Sequence, residues 1–459
     1  MIRRAALPQA NVAPKLRGIG WRVGAMLGHY LHLAIRSLRR APVLTTLMVV
    51  TIGLGIGGSM TVITVFRAMS GDPIPAKSAR LFVPQIDPWG HGHGFGDQPP
   101  DQLTYLDVQQ LLRQRIARRQ TAMYAVHFTA IPGDTSRSPF GVKGRAVGAD
   151  FFPMFDVPFR YGAPWTAADD RRAANVVVIS QKLNDRLFGG ADSVGRSLDL
   201  DNHTYTIVGV LADWHPIPRF YAVPDGNTFG DTEGVFLPFT RAIASHMEWQ
   251  TINCNKPPGP SWQAHLQSDC VWLDFWVELP TAASVQRYRR FLYDYAEAQR
   301  RSGRFDWPPN VRLRDVPQWL AAEHVVPDTA RIMVLVAFGF LVVCLINATA
   351  LLLAKFRRRA GEFGVRRALG GSRGAIFAQC LVETVVIGVV GSLLGLAFTW
   401  IGLVGLRAVL TPDIASLAHL DVADVLIAIA LALLATVAAG LYPTWRAARV
   451  QPAWQLKTG

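Results

Sequence analysis

The chain has 459 residues, of which half are hydrophobic and only 17% are charged, and its mean hydropathy is +0.20. This composition excludes a disordered chain and differs from that of an ordinary soluble protein, so it indicates membrane-spanning helices joined to a soluble part. The formal net charge of +14 first suggests a nucleic-acid partner, but the distribution of the charge along the chain, described below, argues against one.

Four apolar stretches are long enough to cross a bilayer, whose core of about 30 Å needs a helix of roughly 20 residues. We predict transmembrane helices over residues 43–67, 332–354, 376–406 and 425–445. The segments that remain are a basic N-terminal segment with an amphipathic helix (1–42), a large domain (68–331), a connector (355–375), an outer loop (407–424) and a tail (446–459). The predicted fold class is therefore a membrane α-helical protein with four transmembrane helices and a large α+β extracytoplasmic domain inserted between the first and second spans.

Basic residues cluster in three of these segments. Residues 1–42, 355–375 and 446–459 together hold 18 Lys and Arg residues against one acidic residue, Glu362. Because Lys and Arg near span ends stay on the cytoplasmic side, we expect both termini and the connector in the cytoplasm and the large domain outside it. The basicity is thus a topology signal, and no nucleic-acid partner is predicted.

Within the large domain, strands and helices alternate at the spacing of an α/β or α+β fold. We predict a strand at 175–180, a helix at 181–188, two strands around an Asp-Asn turn in 195–213, a strand at 271–279, a helix from Thr281 to about Arg301 and a strand at 310–316. Residues 215–270 break this rhythm with Pro, Gly and Trp, and are predicted to form an inserted loop-rich subdomain. Cys254 and Cys270 lie in it on the oxidising side, which favours a disulfide; two unpaired buried thiols are the alternative.

Two motif-like stretches carry no chemistry. "GADSVGRS" (190–197) resembles a phosphate-binding loop, but it has Arg196 in place of the required lysine and leads into a strand rather than a helix. "HGHG" (91–94) lacks further ligands at useful spacing and is interpreted as a polar loop. No metal site, catalytic residue or bound cofactor is predicted in this chain.

Two features inside the spans predict how the helices pack. Gly53 and Gly57 in the first span, and Gly391 and Gly395 in the third, form two faces of small residues that permit close helix approach. Glu383 lies in the third span, and an acid there is expected to face protein or the membrane interface rather than lipid.

The connector between the second and third spans is more than an anchor. Lys355 to Arg359 fit a membrane-interface anchor, but residues 360–369 can form a short amphipathic helix. In it Glu362 and Arg366 are expected to pair, as are Val365 and Leu369. Gly370 and Gly371 supply a helix stop, and Ser372 can cap the next helix. From these residues alone, docking to another protein, contact with a lipid surface and a passive connector all stay open.

Four stretches resemble ABC-transporter permeases of the MacB, LolC/LolE and FtsX type. They are "EFGVRRALGGSRGAIFAQCLVET" (362–384), the first span with its preceding helix (33–69), the region from "VGADFFPMFDVP" to "IVGVLADW" (147–214), and "GLYPTWRAARVQPAWQLKTG" (440–459). The resemblance covers most of the chain except roughly 215–270.

The resemblance implies a permease subunit of an ATP-driven efflux or extraction transporter in the bacterial inner membrane. Its coupling helix would dock on the ATPase through Glu362, Phe363, Val365, Arg366, Arg367, Ala368, Leu369 and Gly370. Because only 42 residues precede the first span, the ATPase is expected on a separate chain, in two copies, with ATP and Mg bound there. A second permease chain, identical or different, and a periplasmic adaptor are further expected partners. The motion of the ATPases would pass through the spans to the periplasmic domain.

Three alternatives remain open. Lipoprotein release is compatible with the same family resemblance, although no feature selects it. A second alternative is an FtsX-like regulator that relays ATPase motion to periplasmic partners. The large predicted domain at 68–331 argues against it, because FtsX-like proteins have smaller external domains. A membrane-anchored enzyme lacks any positive signature.

Overall fold

The computed structural model describes residues 32–90, 96–134, 136–226, 228–409 and 421–449. The "HGHG" stretch and most of the predicted N-terminal segment, outer loop and tail lie outside these residues. The chain divides into a membrane unit and a second compact unit, Arg67–Asp328, which we call the inserted domain.

The described chain begins with an N-terminal helix over residues 32–40, which bends at Ala41 and leads into α1 (Pro42–Ser70). The bend is held by the backbone N–H of Thr45, which donates to the carbonyl of Ala41, and by the Thr45 hydroxyl, which donates to the carbonyl of Leu38. The N-terminal helix is therefore fixed to the start of the first span.

The inserted domain is built on an 11-stranded sheet with helices on it. The strands are β1 (Leu81–Ile86), β2 (Leu103–Thr104), β3 (Arg119–Ile131), β4 (Phe140–Val147), β5 (Phe159–Gly162), β6 (Val176–Ile179), β7 (Ser197–Leu200), β8 (His203–Leu211), β9 (Val235–Pro238), β10 (Val271–Glu278) and β11 (Val311–Asp315). The helices are α2 (Tyr105–Gln114), α3 (Phe151–Met154), α4 (Ala167–Arg171), α5 (Gln181–Phe188), α6 (Phe239–Ala244), α7 (Trp262–Leu266), α8 (Ala282–Arg301) and α9 (Val316–Ala322).

Neighbouring strands follow the order β11-β1-β10-β3-β4-β9-β6-β8-β5, with β2 paired to β10 and β7 paired to β3 and β8. Every residue of the central strand β10 is buried. Because side chains alternate between the two faces of a strand, neighbouring residues of β10 enter different cores: Phe275 belongs to one apolar cluster and Trp276 to the other. The sheet is thus covered on both faces.

Most predicted elements of this domain are confirmed. Strand 175–180 is β6, helix 181–188 is α5, and strands 271–279 and 310–316 are β10 and β11. The Asp-Asn turn joins β7 to β8, with Asp201 and Asn202 both at positive φ. Thr281 caps α8, its side chain accepting from the Ser284 backbone N–H.

The prediction for residues 215–270 is wrong in one respect. These residues are not wholly an insertion, because they contain β9, which lies between β4 and β6 within the sheet. The four residues of β9 are all buried, so the strand has no alternation that would reveal it in the sequence. Elsewhere in this region Cys254 and Cys270 are joined by a disulfide.

A cluster of charges is buried in the inserted domain. The guanidinium of Arg145, on β4, is fully buried and contacts the carboxylates of Asp225, Glu233 and Asp274. Its Nε lies 2.8 Å from Glu233 Oε1 and its Nη1 lies 3.1 Å from Asp274 Oδ2. Arg219 Nη1 also contacts Glu233 Oε1, at 3.1 Å.

Among the described residues, the membrane unit contains the N-terminal helix, four long helices and one short helix. After α1 the long helices are α10 (Asp328–Arg358), α12 (Arg373–Val409) and α13 (Val422–Ala448), and the short helix α11 (Ala360–Ala368) lies between α10 and α12. The four long helices are each apolar and long enough to cross a membrane, which confirms the predicted four-span architecture with an α+β domain after the first span.

The four long helices contact one another in a ring. The Ser59 hydroxyl on α1 donates to the carbonyl of Ala337 on α10 at 2.8 Å, and the Thr349 hydroxyl on α10 lies 3.2 Å from the carbonyl of Ala439 on α13. The helices α12 and α13 pack along their length, and α1 packs on α12 through glycines described below. Each long helix therefore contacts at least two of the other long helices.

Candidate functional site

The segment between α10 and α12 folds as a corner followed by a short helix. The chain leaves α10 at Arg358, turns at Arg359, and continues as α11 until Ala368. Gly370 has a φ of +95°, a conformation that suits glycine, and so ends the helix. The Ser372 hydroxyl accepts from the backbone N–H of Ala375 at 3.1 Å and caps α12, as predicted.

The two faces of α11 differ sharply. Leu369, just after the helix, is 83% exposed and Val365 is 53% exposed, although both are apolar. Ala368 and Gly370 are exposed beside them. Phe363 is only 1% exposed and belongs to the apolar cluster of the membrane unit. The helix is thus anchored by Phe363 and presents an apolar patch, which we call the Val365–Leu369 patch.

The prediction that Phe363 belongs to a docking surface is corrected by this burial. A side chain that is already packed in the membrane unit cannot contact another protein without breaking that packing. Glu362 and Arg366 remain exposed at the edge of the patch, and Arg367 is half-buried.

The predicted pairing of Glu362 with Arg366 is also wrong. Glu362 instead lies 3.2 Å from Arg359 and 3.6 Å from Arg40 of the N-terminal helix. Arg366 Nη1 donates to Gln379 Oε1 on α12 at 2.6 Å. The physical reason is that α11 packs between other helices, so its charged side chains find partners off the helix.

A cluster of polar groups lies at the corner beside α11. Glu383, on α12, is fully buried and is contacted by three groups. Ser37 Oγ donates to Oε1 at 2.7 Å, Lys355 Nζ lies 2.6 Å from Oε1, and Arg359 Nη1 donates to Oε2 at 2.9 Å. Arg359 also donates to Ser37 Oγ at 2.6 Å. We call these four residues the Glu383 cluster.

The prediction that Glu383 faces protein is confirmed, whereas the interpretation of Lys355 as an interface anchor is wrong. Lys355 is 2% exposed, and its buried ammonium lies 2.6 Å from the buried carboxylate of Glu383, which compensates the cost of burying the charge. The pair of Lys355 and Glu383 could have been predicted from the sequence, because an acid in a membrane span requires a cation nearby. Lys355 and Arg359 lie four positions apart at the end of the preceding span and are candidates for that cation. The contribution of Ser37 had no such signal in the sequence.

The four glycines singled out in the spans lie together where α1 crosses α12. A Cβ on Gly57 would lie 2.5 Å from Phe398 Cβ, and one on Gly53 would lie 3.3 Å from the Gly391 carbonyl oxygen. From the other side, a Cβ on Gly395 would lie 2.9 Å from a methyl of Ile56. The two small-residue faces therefore pack against each other, and the helix backbones approach closely.

Two family models match the chain. The model described as a MacB-like periplasmic core domain matches residues 45–290, and the model described as an FtsX-like permease C-terminal domain matches residues 334–452. The first match covers more than half of the chain, and the second contains α11 and the spans on either side of it.

Individual relatives agree with these models. The chain is 24% identical over 317 residues to the macrolide export ATP-binding/permease protein MacB of Neisseria meningitidis serogroup A, a match that covers 67% of this chain and 42% of that protein. It is 25% identical over 252 residues to the pyoverdine export ATP-binding/permease protein PvdT of Pseudomonas aeruginosa, covering 54% of this chain and 33% of that protein. The chain thus spans less than half the length of these relatives.

Among solved structures, the periplasmic region of MacB from Actinobacillus actinomycetemcomitans aligns with 53% of this chain and 92% of that chain, at 13% identity and a TM-score of 0.35. The two family-model matches alone show that the chain belongs to the family of membrane permeases that join a MacB-like periplasmic core domain to an FtsX-like permease domain.

Proposed function

We propose that this chain is the permease subunit of an ATP-driven ABC efflux or extraction transporter in the bacterial inner membrane. Both termini and α11 lie in the cytoplasm and the inserted domain lies in the periplasm. This orientation is supported by the 18 basic residues in the terminal segments and the connector, since Lys and Arg near span ends favour the cytoplasmic side.

The observation that carries the proposal is the Val365–Leu369 patch on a helix that is itself firmly attached. A helix that exposes apolar side chains while its opposite face is packed offers a rigid surface for a groove on a partner. The partner we infer is an ABC ATPase on a separate chain, present in two copies, which holds ATP and Mg. Two permease chains pair, and ATP hydrolysis is not carried out by this one.

In this mechanism the ATPase moves α11, and the spans convey the motion to the inserted domain, which acts on substrate in the periplasm together with an adaptor. The matched relatives are named as exporters of macrolide and pyoverdine. Those names favour export over lipoprotein release and over a regulatory role, and they leave the substrate of this chain unassigned.

The first prediction tests docking with Leu369→Asp. A carboxylate placed in an apolar contact must lose its water, and central interface residues contribute about 2 kcal/mol or more, so binding of the ATPase should weaken roughly thirtyfold or more. Co-purification with the ATPase and the stimulation of its ATP hydrolysis are measured in the same preparation. Tyr293→Asp, on α8 of the inserted domain, is the matched control because Tyr293 is 52% exposed.

The control variant is expected to bind and stimulate the ATPase as the parent chain does. If Leu369→Asp binds and stimulates the ATPase normally, α11 does not dock the ATPase through the Val365–Leu369 patch, and the proposed mechanism is wrong.

A further inference from the structure

We propose that Glu383 is a positioning residue that fastens α11 to the membrane helices, so that a displacement of α11 is passed to α10, α12 and the N-terminal helix together. This inference rests on the proposed function and adds to it the residue through which the motion enters the membrane unit.

The carboxylate of Glu383 is contacted from three separate parts of the chain. Ser37 belongs to the N-terminal helix, Lys355 to the last turn of α10, and Arg359 to the corner where α10 gives way to α11. The Ser37 and Lys355 contacts share Oε1, whereas Arg359 takes Oε2, so both oxygens are engaged. One side chain on α12 therefore ties the other three elements at a single point.

The connection from this point to α11 is short. Arg359 contacts Glu383 through Nη1 and also donates from Nε to Glu362 Oε2, in the first turn of α11, at 3.2 Å. A second attachment joins Arg366 of α11 to Gln379 of α12, at 2.6 Å. Gln379 precedes Glu383 by four residues, so the two attachments lie on one face of α12. Two points of contact on one face oppose rocking of α11 against α12.

Charge makes this joint stiff. The carboxylate of Glu383 is withdrawn from solvent, and Lys355 is withdrawn with it, so moving either group away from the other would leave a buried charge without a partner. The apolar contacts of Phe363 permit small sliding motions, but the ionic contacts do not. A push on α11 is therefore expected to move the four segments as one body rather than bend the corner at Arg359.

A merely structural role for Glu383 predicts a different outcome when the charges are removed in pairs. Replacing a buried ion pair by apolar side chains of similar size is often neutral or stabilising, so Lys355→Met/Glu383→Met is expected to fold. Arg359 keeps Glu362 as a partner in that variant. If the cluster only holds the helices together, the double variant folds, binds the ATPase and transmits the motion of α11 as the parent chain does. If the cluster is needed for transmission, the double variant folds and binds the ATPase but does not pass the motion of α11 to α10 and α12.

The experiment uses the full chain in lipid nanodiscs with its ATPase. Two quantities are measured for each variant: co-purification with the ATPase, and the change in hydrogen exchange of α10 and α12 when a non-hydrolysable ATP analogue replaces ADP. We expect Glu383→Gln and Lys355→Met/Glu383→Met to keep the ATPase bound but to lose the nucleotide-dependent change in exchange. The control is Thr349→Val, which removes a polar contact between α10 and α13 outside the cluster and is expected to keep both properties.

The outcomes separate the two proposals. If the double variant co-purifies with the ATPase and still shows the nucleotide-dependent change, Glu383 is not the joint, and docking through α11 stands. If the parent chain itself shows no such change although its ATPase is bound, the proposed function fails instead. If Glu383→Gln misfolds, the double variant alone decides the matter.

Discussion

Arg145 and Arg219 face three buried carboxyl groups, so the charges of this cluster do not balance if all three are ionised. Burial raises the pKa of Asp274 to about 8, and the nearby Asp225 carboxylate makes a smaller contribution in the same direction, although Arg145 opposes the shift. Burial acts in the same direction on Glu233, but the guanidiniums of Arg145 and Arg219 outweigh it and lower the pKa of that carboxyl. Asp274 is therefore the group that keeps a proton at neutral pH.

We expect the raised pKa of Asp274 to make the stability of the inserted domain depend on pH. In the unfolded chain this carboxyl ionises near its ordinary pKa of 3.8, whereas the folded domain holds the proton up to about 8. Unfolding therefore releases a proton from Asp274 between these values, so the contribution of this carboxyl to the free energy of unfolding falls as pH rises from about 4 to about 8 and levels off above. Asp274→Asn, which mimics the protonated acid, is expected to remove this slope at little cost in stability.

Glu233→Gln provides the matched contrast, because Glu233 is ionised and contacts both guanidiniums. Glu233→Gln is expected to lower the free energy of unfolding by about 3–5 kcal/mol, because removing one partner of a buried ion pair leaves the other charge unpaired. Urea unfolding of the detergent-solubilised chain, followed by tryptophan fluorescence at several pH values, measures both variants. Equal destabilisation by Asp274→Asn and Glu233→Gln would show that Asp274 is not the protonated group.

At the scale of elements, the crossing of α1 and α12 depends on the absence of side chains. Ile52 and Ile56 of α1 lie against Gly391 and Gly395 of α12, and Phe398 of α12 lies against Gly57 of α1. Each of these large residues on one helix thus meets a glycine on the other, so the two helices can pack closely. Close packing matters in a bilayer because no hydrophobic driving force holds two helices together there.

Adding one methyl group at this crossing tests the packing. In Gly57→Ala the new Cβ would lie 2.5 Å from Phe398 Cβ, so one helix must shift. Overpacking of this kind costs about 1–3 kcal/mol, and we expect a lower melting temperature in detergent. Gly405→Ala on α12, where a Cβ would have no neighbour within 4 Å, is the control.

The control variant is expected to hold or slightly raise the melting temperature, because alanine is favoured over glycine in a helix by about 1 kcal/mol. A melting temperature for Gly57→Ala equal to that of the control would mean that α1 and α12 do not cross at these glycines.

For the whole molecule, the parts that followed from the sequence are those set by local patterns. Long apolar runs gave the four spans, a short apolar run gave β6, and the strand and helix periods gave α5, β10 and α8. The helix stop at Gly370 and the cap at Ser372 were likewise local. Each of these features is determined by residues within a few positions of one another.

The parts that did not follow depend on contacts between distant residues. Ser37 and Glu383 are 346 positions apart, and nothing near either residue indicates that they touch. Phe363 is buried because other helices pack around α11. For the same reason Glu362 and Arg366 contact residues of neighbouring segments instead of each other. The position of β9 in the sheet is set by its partners β4 and β6, since four buried residues carry no period of their own.

The central claim is that movement of an ATPase at α11 reaches the inserted domain. Hydrogen exchange across the inserted domain, compared between a non-hydrolysable ATP analogue and ADP with the ATPase bound in nanodiscs, tests this claim most directly. We predict a nucleotide-dependent change in the parent chain that disappears in Leu369→Asp. A parent chain that shows no change in the inserted domain, or a change that persists in Leu369→Asp, would contradict the claim.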